Sequence, residues 1–166
     1  MTSDNLYGKN LTWYAVELMG GGATCMFGNN ANYMAFSFQP NADDYMDNLR
    51  NSFVDKVWNE QYNTIANVNS ILSDIDEKQG VFVGDDYKVF KGEALGLRAF
   101  LHFDLLRLFG KAGQENLDTK AIPYETALSS QVYPMLTVKQ AAEAMLTDLK
   151  EAKELLKYDP MYTGGT

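Results

Sequence analysis

Residues that usually carry chemistry or cross-links are scarce in this 166-residue chain. Cys25 is its single cysteine, which excludes an internal disulfide and a cysteine-based metal site. His102 is its single histidine and lies in an apolar helical stretch, where a structural role is favoured over catalysis. The sequence therefore predicts no catalytic triad, no metal site and no cofactor.

Long apolar runs and positive charge are also lacking. No window approaches the roughly 18 consecutive apolar residues of a membrane span, and the first residues lack the basic and apolar regions of a signal peptide. Fourteen Lys and Arg against 22 Asp and Glu give a net charge of −8. Because an acidic field repels phosphate backbones, nucleic acid is a poor partner. Hydrophobic residues make up 46% of the chain, which is enough for one packed domain.

Residues 1–48 are rich in glycine, asparagine and aromatic residues, and only the stretch from Asn10 to Leu18 has helical spacing. Glycine and asparagine suit turns, and a long irregular segment in a small domain is often a binding loop. Aromatic rings beside amides could form a platform for a sugar or a peptide, although packing in the core is the alternative for each ring. The candidate ligand-binding residues are Trp13, Asn30, Asn32 and Tyr33.

Residues 49–158 have the periodicity of three long helices, at about 53–75, 87–109 and 138–158. No alternating strand of useful length is present. The sequence therefore predicts an all-α fold of antiparallel helical hairpins. The connection between the second and third helices contains two prolines and is longer than usual, so we expect an ordered path over the helix ends.

The ends and faces of these helices carry further signals. The second helix is apolar nearly all round, which predicts neighbours on every side, and Gly110 suits a left-handed position after its last turn. Thr137 and Gln140 form a capping box at the start of the third helix. On that helix the spacing predicts a buried stripe that includes Leu149, with Asp148 among the solvent-facing charges.

Charged residues within the second helix are more easily explained by structure than by catalysis. Glu93 and Asp104 are about 16 Å apart along the helix axis, beyond the roughly 5–9.5 Å of paired glycosidase carboxylates. Glu93, Arg98 and Arg107 must pair or reach solvent, and ion pairs between helices would set their register. An enzyme is therefore disfavoured.

Four sequence blocks occur in a familiar order. They are Trp58-x3-Tyr62-x2-Ile65-x3-Asn69-x-Ile71-Leu72, Gly92-Glu93-Ala94-Leu95-x-Leu97-Arg98-Ala99-x2-His102-Phe103-x-Leu105-x3-Phe109-Gly110, Ile122-Pro123-Tyr124, and Thr137-Val138-x9-Asp148-Leu149-x2-Ala152-x2-Leu155-Leu156. Over about residues 50–158 the chain resembles the N-terminal part of the SusD/RagB family of outer-membrane nutrient-binding lipoproteins. The first 48 residues match only loosely.

The resemblance implies tetratricopeptide-like (TPR-like) hairpins in a single domain over 1–166, with a loop-rich segment at 1–48 and a helical scaffold at 49–158. It also implies a fragment of a longer architecture, because relatives continue several-fold further. We interpret the motif residues as scaffold, formed by buried aromatic residues and a polar pair that locks helix register. These residues are Trp58, Tyr62, Asn69, Glu93 and Arg98.

The function implied by the resemblance is the capture of oligosaccharide or another nutrient for a SusC-like, TonB-dependent outer-membrane transporter. Such proteins bind and release their ligand without cleaving it. They lie at the cell surface, anchored by a lipidated N-terminus that this chain lacks. The alternatives are a helical protein-interaction module without its own small-molecule site, and a glycosidase with two carboxylates in one cleft.

Overall fold

The computed structural model describes residues 3–9, 11–12, 54–129 and 132–161. Within these ranges there is no β-strand, and three long helices pack against each other, which confirms the all-α class. None of the described helices is long and apolar enough to span a membrane. The helices are α1 at Asp55–Ile75, α2 at Asp86–Phe109 and α3 at Val138–Leu155. The likeness to TPR hairpins stays a prediction.

The chain divides into two compact units, Met1–Thr64 and Ile65–Thr166. In the first unit, the side chains of Ser3 and Asn5 donate hydrogen bonds to the carboxylate of Glu60. The predicted helix from Asn10 to Leu18 lies outside the described residues, apart from Leu11 and Thr12. The single-domain organisation expected from the sequence, with its division at residue 48, also stays a prediction.

The α2 and α3 helices form an antiparallel pair in the second unit. Progressing along α2, Gly92 lies against Leu155 and Leu156, whereas Gly96 lies against Ala152. Later positions on α2 therefore contact earlier residues of α3, which is the pattern of two antiparallel helices. Small residues at the contact let the two backbones approach closely.

Replacing Gly92 by alanine is expected to destabilise the second unit, by about 1 kcal/mol. A β-carbon at Gly92 would lie 2.9 Å from Cγ of Leu156 and 3.1 Å from Cβ of Leu155, so these neighbouring atoms must shift. Gly96→Ala is the matched control, because its nearest neighbour, Cβ of Ala152, is 3.9 Å away. That control should be neutral or stabilising through helix propensity. Urea unfolding of both variants tests the prediction, and equal midpoints would contradict it.

Two expectations about α2 are wrong. Gly110 has φ −84° and ψ 155°, which is extended backbone and not the left-handed conformation. Glycine still suits the position, because a β-carbon there would lie 2.6 Å from the carbonyl oxygen of Leu106. The helix is also not surrounded on every side, since Phe90, Phe100 and Phe103 are exposed.

The capping box at the start of α3 is present as predicted. The amide of Gln140 donates to Oγ1 of Thr137 at 3.2 Å, and the Thr137 amide donates to Oε1 of Gln140 at 3.0 Å. The buried positions of α3 differ from those expected in two places. Asp148 is buried and Leu149 is exposed, so the assignment of Asp148 to the solvent face is wrong.

The connection from α2 to α3 follows an ordered path, as expected. The amide of Ala121 donates to the carbonyl of Leu136 at 2.8 Å, and the Leu136 amide donates to the carbonyl of Ile122 at 3.0 Å. Residues 121–124 are all buried, although they belong to no helix. This segment therefore forms part of the core and brings its backbone against the helices.

Candidate functional site

A buried ion pair joins α2 to α3. Nε of Arg98 donates to Oδ2 of Asp148 at 2.6 Å, and Nη2 of Arg98 donates to Oδ1 of Asp148 at 2.8 Å. The hydroxyl of Tyr124, in the connecting segment, donates to Oδ2 of Asp148 at 2.5 Å. The carboxylate thus receives three hydrogen bonds, which compensate for the loss of water around a buried charge.

The same arginine links α1 and the connecting segment. Nη1 of Arg98 donates to Oδ1 of Asn69 and to the carbonyl of Thr126, both at 3.1 Å. Nδ2 of Asn69 in turn donates to the carbonyl of Glu125 at 3.0 Å. Side chains from α1 and α2 therefore hold the backbone of one irregular segment by hydrogen bonds.

His102 completes this arrangement and occurs as one tautomer. The amide of Glu125 donates to Nε2 of His102 at 3.1 Å, so Nε2 carries no proton. Nδ1 is therefore the protonated nitrogen, and it donates to the carbonyl of Arg98 at 2.9 Å. The imidazole also stacks on the ring of Tyr124, with centroids 4.0 Å apart. We call Asn69, Arg98, His102, Tyr124 and Asp148 the polar core.

Burial and charge set the protonation states in the polar core. Burial lowers the pKa of His102 to about 4, so the imidazole is neutral at pH 7. Burial, together with the hydrogen bond to Asp148, raises the pKa of Tyr124 far above its ordinary value. Burial alone would lower the pKa of Arg98. The hydrogen bonds and negative charge of Asp148 outweigh this effect, so the pKa of Arg98 is raised. Both nitrogens of His102 are engaged, which is typical of a structural histidine.

A second feature is a groove between the C-terminal half of α1 and the N-terminal half of α2, with a volume of about 570 Å³. The ring centroids of Phe82 and Phe90 are 5.8 Å apart at its side. Most of the lining is apolar, as in many ligand pockets. The lining residues are Val68, Ser70, Ile71, Asp74, Ile75, Lys78, Val81, Phe82, Phe90, Glu93, Ala94 and Leu97.

Ion pairs surround one end of this groove. Nζ of Lys78 lies 3.0 Å from Oδ2 of Asp74, and the hydrogen bond between them lowers the pKa of Asp74. Nζ of Lys91 lies 2.8 Å from Oδ1 of Asp76. Among the described histidine, aspartate and glutamate side chains, no group of three or more could hold a metal ion. Asp74 and Lys78 are therefore paired side chains at the surface.

The sequence-predicted residues are distributed unevenly over these features. Trp13, Asn30, Asn32 and Tyr33 lie outside the described residues, so their role in ligand binding stays a prediction. The scaffold residues Trp58 and Tyr62 are half-buried, and their ring centroids are 4.9 Å apart at a tilted angle.

The polar partners on α2 differ from those suggested by the motif. Asn69 and Arg98 are buried in the polar core, whereas Glu93 is exposed and lines the groove. The acidic partner of Arg98 is Asp148 of α3 and not Glu93. His102 is buried and accepts a hydrogen bond from the amide of Glu125, a contact that the sequence does not predict.

All five polar-core residues belong to the sequence blocks that carry the family resemblance, with Asn69 in the first block. The model of the family SusD-like_3, described as starch-binding and associating with the outer membrane, matches residues 20–163. The chain belongs to the SusD-like family. The resemblance inferred from residues 50–158 is thereby confirmed, and the match extends into the loop-rich segment.

This SusD-like chain has no significant match among curated proteins. Its family membership therefore depends on the family model. The polar core gives a physical reason for the motif, because the blocks supply side chains that meet in one hydrogen-bonded cluster. Arg98 and His102 come from the second block, Tyr124 from the third and Asp148 from the fourth.

Proposed function

We propose that this chain is part of a surface glycan-binding component of an outer-membrane uptake system. In this proposal it captures starch-like oligosaccharides for a SusC-like, TonB-dependent transporter, and a lipidated N-terminus anchors the complete protein at the cell surface. The observation that carries the proposal is the match of a starch-binding, outer-membrane-associated family to residues 20–163.

The polar core supports a role in binding without cleavage. It ties the connecting segment to the helices, which supports a scaffold role for the second unit. His102 uses both ring nitrogens for structural contacts. In the groove, the ion pair with Lys78 lowers the pKa of Asp74, the opposite of what a glycosidase acid requires. We therefore propose that the chain is not an enzyme.

Ligand contacts in this proposal come from Trp13, Asn30, Asn32 and Tyr33, the last three of which lie within the matched range. Tyr33→Ala is expected to weaken binding of maltooligosaccharides at least tenfold, because an aromatic platform is a dominant contact in a small interface. Isothermal titration calorimetry measures the change. Tyr158→Ala is the matched control, since it removes an exposed tyrosine outside the loop-rich segment and should leave binding unaltered.

Failure to bind any oligosaccharide in a panel of different linkages would overturn the glycan proposal. If the original chain and the Tyr33→Ala variant bind oligosaccharide equally tightly, Tyr33 is not part of the site, but the proposal that the chain binds glycan still stands. The transporter is tested separately, by co-purification of the membrane-anchored protein with a large β-barrel partner. The second candidate function, a protein-interaction module, is favoured by the apolar groove between α1 and α2.

A further inference from the structure

The groove between α1 and α2 presents a continuous apolar surface to solvent. Ile71 is 52% exposed, Val81 is 75% exposed and Phe90 is 51% exposed, and all three line the same groove. Scattered apolar side chains are ordinary at protein surfaces, whereas a contiguous patch bordered by charges is typical of an interaction site. This surface is distinct from the loop residues proposed to bind sugar.

The charges around the groove are unbalanced. Residues 74–86 contain five acidic residues and one lysine, a net charge of −4. The three nearby lysines are already paired, Lys78 with Asp74, Lys88 with Asp85 and Lys91 with Asp76.

Three carboxylates in and next to this stretch, Glu77, Asp86 and Glu93, form no ion pair among the described residues, and Glu93 lines the groove. Asp86 lies in the first turn of α2, where a negative charge is favourable for the helix itself. Glu77 and Glu93 lie outside the first turn of a helix, so the helix does not account for their negative charges, and both side chains are exposed. The edge of the groove therefore favours a cationic partner and repels anionic lipid headgroups.

The shape and lining decide the class of partner. The walls are formed by α1, α2 and the segment between them, and a groove walled by helices can take the apolar stripe of another helix. Among the described lining residues eight of twelve are apolar, and the polar ones are Ser70, Glu93 and the mutually paired Asp74 and Lys78, whereas a sugar needs several directional hydrogen-bond partners. The lining thus fits aliphatic side chains better than hydroxyl groups.

We propose that this groove binds an amphipathic helix of a partner protein, with lysine or arginine residues flanking an apolar stripe. The stripe contacts Ile71, Val81 and Phe90, and the basic residues lie near Glu77 and Glu93. This docking function goes beyond glycan capture, and either function can fail without the other.

Two synthetic helical peptides test the proposal by fluorescence anisotropy with the full chain. Both carry leucines at positions i, i+3, i+4 and i+7, and they differ only in having lysine or glutamate flanks. We expect the lysine peptide to bind at least tenfold more tightly at low salt, with the difference shrinking as salt is added. Absence of binding, or equal binding of the two peptides, overturns the proposal.

Variants locate the binding surface. Phe90→Ser should weaken binding of the lysine peptide about tenfold, and Glu93→Lys should reduce the preference for lysine over glutamate flanks. Leu146→Ser is the matched control, because Leu146 is 52% exposed on α3 outside the groove, and it should leave binding unchanged. Circular dichroism checks that each variant keeps its helices. Equal effects of Phe90→Ser and Leu146→Ser overturn the proposal.

Other occupants give different results. Binding to vesicles of anionic phosphatidylglycerol that Phe90→Ser abolishes would make the groove a membrane contact. Displacement of the lysine peptide by maltooligosaccharide, with sugar binding lost in Phe90→Ser, would make it a sugar site. Either outcome overturns the helix-docking proposal, and the second would support glycan binding at a different place from the one proposed.

Discussion

Replacing Arg98 by methionine is expected to lower the free energy of unfolding by about 3–5 kcal/mol, the cost of leaving one buried charge without its partner. Asp148 would lose both hydrogen bonds from the guanidinium while remaining in a site that excludes water. The carbonyl of Thr126 and Oδ1 of Asn69 would also lose a donor. The effect is large because one side chain satisfies three partners.

Urea unfolding followed by circular dichroism measures this loss. The double variant Arg98→Met/Asp148→Leu should recover much of the stability, because it removes both charges and fills the space with apolar groups. Lys78→Met is the control for loss of an ion pair at the surface, where water solvates Asp74, and it should hardly change the unfolding midpoint. Equal effects of Arg98→Met and Lys78→Met would show that the polar core contributes little to stability.

Local signals predicted the helices well, because each depends on a few neighbouring residues. The capping box of Thr137 and Gln140 forms as expected, since its two hydrogen bonds need only the first turn of α3. The extent of α2 was predicted to within one residue at its start. The conformation of Gly110 was predicted wrongly. The backbone after α2 continues in extended form into the connecting segment, whose path depends on tertiary contacts.

Asp148 shows why the polar core was not predicted as a unit. Ala141, Met145, Asp148 and Ala152 are buried at spacings of four, three and four, which is the period of one helix face. The helical period alone places the carboxylate of Asp148 on the buried face, whereas its charge favours the solvent face, and the sequence prediction followed the charge. A buried acid is expected only when its partner is known, and Arg98 lies fifty residues away in the sequence.

The connecting segment was the least predictable part of the core. Tyr124 has no periodic neighbours in the sequence, so only the family resemblance indicates it, and the sequence does not predict its hydrogen bond to Asp148. The next two residues, Glu125 and Thr126, are held by hydrogen bonds between their backbone and the side chains of Asn69, Arg98 and His102, which hydrophobic patterns cannot register. The groove between α1 and α2 was also not predicted. Apolar residues on a helix face predict burial, and the sequence pattern does not show whether a neighbouring element covers them.

Acidification is expected to destabilise the second unit through His102. Burial lowers its pKa from 6.5 to about 4, aided by the charge of Arg98 and opposed by the Arg98 carbonyl. The folded state therefore binds the proton less readily than the unfolded chain. Stability should fall as the pH drops from about 6.5 to about 4, and the full loss should be on the order of 3 kcal/mol. The structural cause is that protonated Nε2 would point a donor at the amide of Glu125.

His102→Gln isolates this contribution, because His102 is the only histidine in the chain. The glutamine Oε1 can accept the hydrogen bond from the Glu125 amide but does not titrate. The variant should be less stable than the original chain at pH 7, and the difference should shrink as the pH falls toward 4. Carboxylates titrate in both proteins, so they cancel in that difference. Urea unfolding at pH 7, 6, 5 and 4 measures it, and parallel stability profiles would mean that His102 does not couple protonation to folding.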